Sequence, residues 1–253
     1  MIQFPLMVFN RMESWSIEYG VLWGDPREIE KKQGNVWDQF DELLEKQFKH
    51  ELGGYTQIQK AGVDGSDGNV SNEVYLWSKR HSTSKVLVIK GSSRAMPVLV
   101  GQPTKQDIKY KGKRLARKAN LYMINTWKIK SEIYSFLNKP QNADRTYPYG
   151  FCHFPHDRDQ PYFDQLISEQ EIKHVNKKTG FLIRNEWRKV QERNEGLDCR
   201  VIGRACAFVG QVDQKTEEQW REIERALMMS TPVGSQGGGQ ERSRRAIGRM
   251  KGG

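Results

Sequence analysis

Two aspartates in this sequence stand where acidic side chains can carry out metal chemistry. Asp64 lies in AGVDGSDG at residues 61–68, and Asp198 lies in RNEGLDCR at residues 193–200. Asp64 closes a predicted strand before a glycine-rich turn and a helix, a position where side chains converge over the edge of a sheet. Carboxylates from a strand end and a late helix can hold two Mg²⁺ or Mn²⁺ ions about 4 Å apart for phosphodiester hydrolysis. This pattern nominates Asp64 and Asp198 as metal ligands and catalytic residues.

Asp198 lies close to the buried face of its predicted helix, which we expect to run from about residue 188 to residue 209. At 100° per residue, Asp198 lies roughly 60° from the centre of the apolar stripe. A carboxylate there must be paired, hydrogen-bonded or metal-bound, because desolvating a lone ionised group costs several kcal/mol. The alternative to a metal is an ion pair with Arg193 or Arg200. The stripe comprises Val190, Asn194, Leu197, Val201, Ala205 and Phe208.

Three further residues are possible accessories to this site, and each has a structural alternative. Asp67 is a candidate for the same role as Asp64, and both also suit a turn or a helix N-cap. Lys90 ends the strand VLVIK, where it would contact the scissile phosphate or lie solvated at the sheet edge. Asn125 ends LYMIN, where it would orient water or a phosphate, or cap the helix that follows.

The elements that must position these residues alternate between strand and helix. Residues 14–23 alternate apolar with polar side chains, as a half-buried strand does, and residues 36–48 carry apolar side chains at helical spacing. Residues 1–12 are interpreted as an incomplete first strand. Further strands are predicted at 55–63, 85–91, 121–125 and 151–155, and helices at 72–80, 126–137, 161–172 and 216–229. The order predicts an α/β domain over residues 1–230 and a disordered basic tail rich in Gly and Arg over residues 231–253.

The chain is strongly basic, with a net charge of +10 and a pI of about 9.4. Such a balance favours a polyanionic partner, most often nucleic acid bound through its phosphates. Residues 92–120 are interpreted as a mobile basic loop or hairpin. The tail arginines Arg242, Arg244, Arg245 and Arg249 would also contact the DNA backbone, or else only solubilise the chain or dock on an acidic partner. The DNA-binding candidates of the loop are Lys105, Lys109, Lys111, Lys113, Arg114, Arg117 and Lys118.

Several classes of protein are disfavoured. Cys152, Cys199 and Cys206 match neither a zinc spacing nor a disulfide framework, and no secretory signal precedes them, so we expect a reducing, intracellular setting. No apolar run approaches the roughly 20 residues that span a bilayer, so no membrane role is expected. His153 and His156 have no matching pair at zinc spacing. No G-x-x-x-x-G-K-[ST] loop occurs, so we predict no ATPase activity.

Eight short blocks of the sequence occur in the order typical of a known family. They are ESWSIEYGVLWGDP, VWDQFDELL, AGVDGSDGN with VYLW after it, VLVIKGSS, LYMINTWKIKSEIY, GFCHFP, YFDQLISE and RNEGLDCRV. Over roughly residues 10 to 212, the chain resembles the nuclease portion of the large terminase subunit of lambda-type phages, the GpA family. The HFP segment and the RNE-x-LDC helix are its most characteristic blocks.

The resemblance implies both a fold and an activity. The implied fold is RNase H-like, a mixed sheet flanked by helices, and the implied activity is metal-dependent cutting of concatemeric double-stranded phage DNA during packaging. Asp64 resembles the family's acidic residue at the end of the central strand, and Asp198 that of the late helix. The family's first catalytic aspartate, in a GVD-[VI]-Q strand, is expected just upstream of Met1, so the chain is expected to lack a complete first strand.

The resemblance also implies partners and a location. These are the terminase small subunit and the portal protein, in the cytoplasm of the host cell, as for a phage or prophage protein. Two hypotheses follow for the activity. The first is an endonuclease that uses Mg²⁺ or Mn²⁺ at Asp64 and Asp198. The second is a truncated, catalytically inactive fragment that binds DNA or the packaging partners.

Overall fold

The computed structural model describes residues 1–30, 33–51, 53–92, 94 and 96–231 of the chain, apart from the side chain of Arg184. The predicted tail lies outside the described residues from residue 232 onward, together with its four arginines. The strands are β1 (Ile2–Phe9), β2 (Glu13–Leu22), β3 (Gln47–Lys49), β4 (Tyr55–Gln57), β5 (Ala61–Asp64), β6 (Val86–Gly91), β7 (Thr104–Tyr110), β8 (Lys113–Ile124), β9 (Phe151–His153), β10 (Glu169–Val175) and β11 (Leu182–Lys189). The helices are α1 (Val36–Glu45), α2 (Ser71–Ser78), α3 (Thr126–Leu137), α4 (Gln160–Leu166), α5 (Glu195–Val209) and α6 (Glu217–Met229).

The largest sheet has the strand order β5-β6-β8-β7. Strands β5, β6 and β8 run parallel, and β7 is antiparallel to β8. Because the carboxyl ends of parallel strands reach one edge of a sheet, Asp64, Lys90 and Asn125 are delivered to the same edge. This edge is where the sequence predicts the site.

A second sheet has the order β1-β2-β9, with β1 antiparallel and β9 parallel to β2. Residues 1–12 contain the predicted first strand, because β1 is an eight-residue strand paired with β2 along its length. The expected single mixed sheet is replaced by several sheets, of which the two larger ones are each mixed. Strands β1 and β5 are edge strands of these two sheets within the described part of the chain.

The central strand β6 is buried on both faces, as its unbroken apolar run VLVI requires. Leu87 and Ile89 pack with helices α3 and α5 on one face. Val86 and Val88 pack with α1 and α2 on the other face, where Trp77 is fully buried. The fold is thus a three-layer α/β arrangement around β6, and α5 also contacts β1 and β5.

The helix predicted to run from about residue 188 begins later. Residues 182–189 form β11, and α5 starts at Glu195 after Asn194. Val190 has the spacing of the apolar helical stripe but lies before α5. Its amide donates to the Ser168 carbonyl at the base of the β10–β11 hairpin. Helix α4 ends at Leu166, short of the predicted residue 172, because the chain enters strand β10 at Glu169. The predicted strand 55–63 is likewise divided into β4 and β5, and residues 104–124 form the β7–β8 hairpin, one of the two forms expected for the basic segment.

Gly62 allows β5 and α5 to approach each other closely. A Cβ at this position would lie 2.5 Å from Ile202 Cγ2 and 2.8 Å from Cys206 Sγ. We expect Gly62→Ala to lower the free energy of unfolding by about 1–3 kcal/mol, the range for overpacking a core. Urea unfolding would measure this, with Gly68→Ala as the control, because no atom lies within 4 Å of a Cβ there. Equal stability of the two variants would contradict the close packing of β5 on α5.

Candidate active site

Asp64 is the last residue of β5, and its side chain is exposed at the carboxyl edge of the sheet. The register pairs it with Ile89 of β6. One carboxylate oxygen, Oδ1, accepts a hydrogen bond from the Ser66 amide at 2.8 Å. Asp64 therefore shapes the turn after β5, as the structural alternative predicts, while it presents its carboxylate at the predicted site.

Asp198 lies in the first turn of α5. A carboxylate is favoured there, because the amino end of a helix carries a partial positive charge. The Asn194 side chain donates from Nδ2 to Asp198 Oδ2 at 2.9 Å. Arg193 pairs with Glu195 instead, and Arg200 donates to Ser14 Oγ at 2.7 Å. The alternative in which Asp198 pairs with Arg193 or Arg200 is therefore wrong.

Asp64 and Asp198 lie on two elements that pack against each other, because the β5 backbone at Gly62 lies against Ile202 and Cys206 of α5. Partial burial among protein atoms is the largest cause of a raised pKa at Asp198, although the residue remains open to solvent. The positive charges of Lys130 and Lys189 oppose this shift. The negative charges of Glu169 and Asp64 raise the pKa of Asp198 further. Repulsion between neighbouring carboxylates is the condition that a bound cation relieves.

A hydrogen-bonded cluster of Lys130, Glu169 and Asn194 supports Asp198, and the sequence did not predict it. Lys130 of α3 donates from Nζ to both carboxylate oxygens of Glu169 at 2.7 Å. Asn194 Nδ2 lies 3.3 Å from Glu169 Oε1, so one amide connects the Glu169 and Asp198 carboxylates. Glu169 closes the block YFDQLISE, but a helix was predicted there. The position of Asn194 four residues before Asp198 was the signal that could have identified it.

The predicted accessory residues have separate structural roles. Asp67 Oδ1 accepts from the Asn69 amide at 2.9 Å in the turn before α2, so Asp67 acts as a turn aspartate. Asn125 is 5% exposed and caps α3, accepting from the Lys128 amide at 3.0 Å, as its structural alternative predicts. Lys90 is exposed at the carboxyl end of β6, one residue beyond the partner of Asp64.

The tip of the hairpin that carries the predicted DNA-binding cluster lies away from the two aspartates. Tyr122 of β8 is level with Asp64 through Ile89, and β8 begins nine residues earlier at Lys113. The tip of the β7–β8 hairpin is therefore about 30 Å from the level of Asp64, at about 3.3 Å per residue. DNA contact by this hairpin stays a prediction, and Lys105 and Lys118 are its members closest to the level of Asp64 along the strands.

Part of the charge of that cluster is neutralised locally. Asp107 pairs with Arg114 at 2.7 Å and with Lys118 at 3.4 Å. Lys111 pairs with Glu30 at 2.8 Å, and Lys105 donates to Asn120 at 2.7 Å. Exposed pairs of this kind are weak and can exchange for phosphate. Lys109, Lys113 and Arg117 are the remaining members of the predicted set.

A comparison with protein-family models matched the endonuclease domain of the terminase large subunit gpA over residues 2–220. That match covers most of the 253-residue chain. The chain belongs to this family. Neither the comparison with curated proteins nor that with solved structures found a match.

Membership of the terminase endonuclease family gives the carboxylates at the sheet edge a biochemical context, because a DNA-packaging nuclease acts on DNA. Within the described residues, no group of three or more His, Cys, Asp or Glu side chains is arranged to hold a metal ion. None of the described helices is long and apolar enough to cross a membrane. The candidate site of this terminase domain comprises Asp64, Asp198 and the groups that touch them.

Proposed function

We propose that this terminase domain is a metal-dependent endonuclease that cuts concatemeric double-stranded phage DNA during packaging. The observation that carries the proposal is the packing of α5 on β5, the two elements that bear Asp198 and Asp64. The negative charge of Asp64 also raises the pKa of Asp198. Carboxylates that repel one another at an exposed sheet edge suit a divalent cation. The RNase H-like fold implied by the sequence resemblance is part of the same proposal.

The donor set at this edge fits Mg²⁺ or Mn²⁺, which prefer carboxylate oxygens. One oxygen of Asp64 accepts from the Ser66 amide, and one oxygen of Asp198 accepts from the Asn194 side chain. These hydrogen bonds orient both carboxylates without neutralising them. When bound, divalent ions supply activation of water and stabilisation of the leaving oxygen. Asp64 and Asp198 would hold the metal, and Lys90, exposed at the end of the neighbouring strand β6, would contact the phosphate.

The partners and setting follow from the same proposal. Double-stranded DNA is the substrate, and the terminase small subunit, the portal protein and the host-cell cytoplasm complete the packaging context. The net charge of +10 supports attraction to DNA phosphates. The lack of a phosphate-binding loop in the sequence supports a nuclease without ATPase activity.

The proposed function is tested by incubating supercoiled plasmid with the purified chain in Mn²⁺, in Mg²⁺ and in EDTA. We expect nicked and linear products with either metal and none in EDTA. Supercoiled plasmid that stays intact in both metals would contradict the endonuclease. Gel shifts at increasing salt, run in parallel, report DNA binding separately from cutting.

A second candidate function is DNA binding without cutting. One observation favours it. Lys130 donates to both carboxylate oxygens of Glu169, the third carboxylate near Asp198. Such a site offers two available carboxylates. Intact plasmid together with salt-sensitive gel shifts would establish this second function.

Asn194 positions the Asp198 carboxylate, and we expect Asn194→Ala to slow Mn²⁺-dependent nicking by about 10–100-fold, the usual effect of losing an outer-shell partner of a metal ligand. Initial nicking rates over a range of Mn²⁺ concentrations would measure this. Raising Mn²⁺ should restore part of the rate, because the ligand remains. Asn138→Ala, at the end of α3, is the control. A rate equal to that of the unmodified chain would contradict the positioning role.

A further inference from the structure

The β10–β11 hairpin ends in an exposed apolar surface, which we call the hairpin tip (Val175, Phe181, Leu182 and Ile183). All four side chains are more than half exposed. Phe181 is 76% exposed, more than any other aromatic side chain in the described part of the chain. Exposed large apolar side chains that adjoin one another mark interaction surfaces. The hairpin tip therefore has the properties of a surface that binds a partner.

The loop at the hairpin tip is already ordered. The Asn176 amide donates to the Phe181 carbonyl at 2.7 Å, and the Gly180 amide donates to the Asn176 carbonyl at 2.8 Å. Asn176 Oδ1 accepts from the Lys178 amide at 2.9 Å. Gly180 has φ of +73°, which other residues rarely adopt. A loop fixed in this way presents Phe181 with little further loss of entropy on binding.

The root of the hairpin is fixed beside the candidate active site. Tyr134 of α3 exchanges hydrogen bonds with the backbone of Glu169, and its ring lies 5.0 Å from that of Trp187. Glu169 pairs in the ladder with Lys189, and Asn194 lies within hydrogen-bond distance of both Glu169 and Asp198. The tip lies about 20 Å from this root, at about 3.3 Å per residue. The hairpin therefore extends outward from a root that is anchored beside Asp198.

The charge of the hairpin tip fits DNA. The sequence from residue 173 to residue 185 contains Lys173, Lys177 and Lys178 and no acidic residue. These three lysines are exposed. Proteins that bend duplex DNA place apolar wedges such as Phe, Leu and Ile between base steps from the minor groove, with basic side chains on the adjacent phosphates. A purely apolar protein partner would not require the lysines.

We propose that the hairpin tip binds duplex DNA and inserts Phe181 between base pairs, which kinks the duplex next to the cut site. The 20 Å between root and tip correspond to about six base pairs at 3.4 Å each. The tip thus acts as a second contact that holds bent DNA across the carboxylates. This inference rests on the proposed function, because DNA is its ligand.

The test uses the full chain in EDTA and a 30-base-pair duplex labelled at its two ends for fluorescence energy transfer, so that bending is seen without cutting. We expect the chain to raise the transfer and Phe181→Ala to abolish this rise and lower the affinity about 5–100-fold, the effect of losing one base–aromatic contact. Trp23→Ala, which removes another highly exposed aromatic side chain, should bend DNA as the unmodified chain does. Lys177→Ala/Lys178→Ala should reduce the salt slope by about two while the bend remains.

The outcomes separate this inference from the proposed function. If Phe181→Ala bends DNA as fully as the unmodified chain, the wedge is wrong, and the hairpin tip would instead serve an apolar protein surface. If the unmodified chain nicks plasmid in Mn²⁺ but leaves the transfer unchanged, only the wedge fails. If it neither nicks nor binds DNA, both the wedge and the proposed function fail.

Discussion

Replacing Asp198 with asparagine is expected to reduce Mn²⁺-dependent nicking by more than about 100-fold, beyond the loss typical of outer-shell residues. Asparagine keeps the size of the side chain and an oxygen that accepts from Asn194, but it removes the charge that a divalent cation requires. Asp64→Asn should have an equal effect, because both carboxylates belong to one site. Nicking rates of supercoiled plasmid, with gel shifts for DNA binding, would measure the loss.

The stability of these variants distinguishes a functional carboxylate from a structural one. The raised pKa of Asp198 means that the folded chain disfavours its ionised form, an effect that costs stability once the pH rises above the ordinary pKa of an aspartate. Asp198→Asn should therefore be as stable as the unmodified chain at neutral pH, or more stable. Asp67→Asn is the control for both properties, because Asp67 is an exposed turn aspartate whose Oδ1 accepts from the Asn69 amide. Unfolding of Asp198→Asn, or unchanged nicking, would contradict its role as a metal ligand.

Replacing Lys130 with methionine is expected to lower the free energy of unfolding by about 3–5 kcal/mol, the usual cost of breaking a buried ion pair. The Lys130 and Glu169 side chains are only 13% and 9% exposed, and both Glu169 oxygens rely on the Lys130 ammonium. Without it, the Glu169 carboxylate stays buried and unpaired.

Two controls make this prediction specific. Lys128 is exposed on the same helix, so Lys128→Met should change the free energy of unfolding by less than about 0.5 kcal/mol. The double variant Lys130→Met/Glu169→Met should regain most of the lost stability, because an apolar pair can replace a buried ion pair. Urea unfolding of all three variants measures these differences. A stable Lys130→Met would show that Glu169 does not depend on Lys130.

Local patterns in the sequence predicted most of the elements of the fold. Alternating side chains predicted β2, the unbroken apolar run predicted β6, and helical spacing predicted α1 and α3. These signals work because burial on one face or on both faces imposes a period on the sequence. Asp64 and Asp198 were predicted as site residues because one ends a strand and the other lies near the buried stripe of a helix.

The sequence did not reveal the long-range pairings. The β10–β11 hairpin was assigned partly to helices, because residues 169–172 and 188–190 satisfy a helical spacing as well as a strand. Its true state depends on the pairing of Glu169 with Lys189 and on the contact of Trp187 with α3, which no local window contains. The support of Asp198 by Asn194, Glu169 and Lys130 was missed for the same reason. The position of the β7–β8 lysines follows from the register of β8 against β6, which composition does not encode.

The most direct test of the metal site is a Mn²⁺ titration followed by electron paramagnetic resonance, without DNA. The unmodified chain, Asp64→Asn/Asp198→Asn and Asp67→Asn would be compared at neutral pH. We predict saturable Mn²⁺ binding by the unmodified chain and by Asp67→Asn, and its loss in the double variant. Equal Mn²⁺ binding by all three chains would contradict the assignment of Asp64 and Asp198 as the metal ligands of this terminase domain.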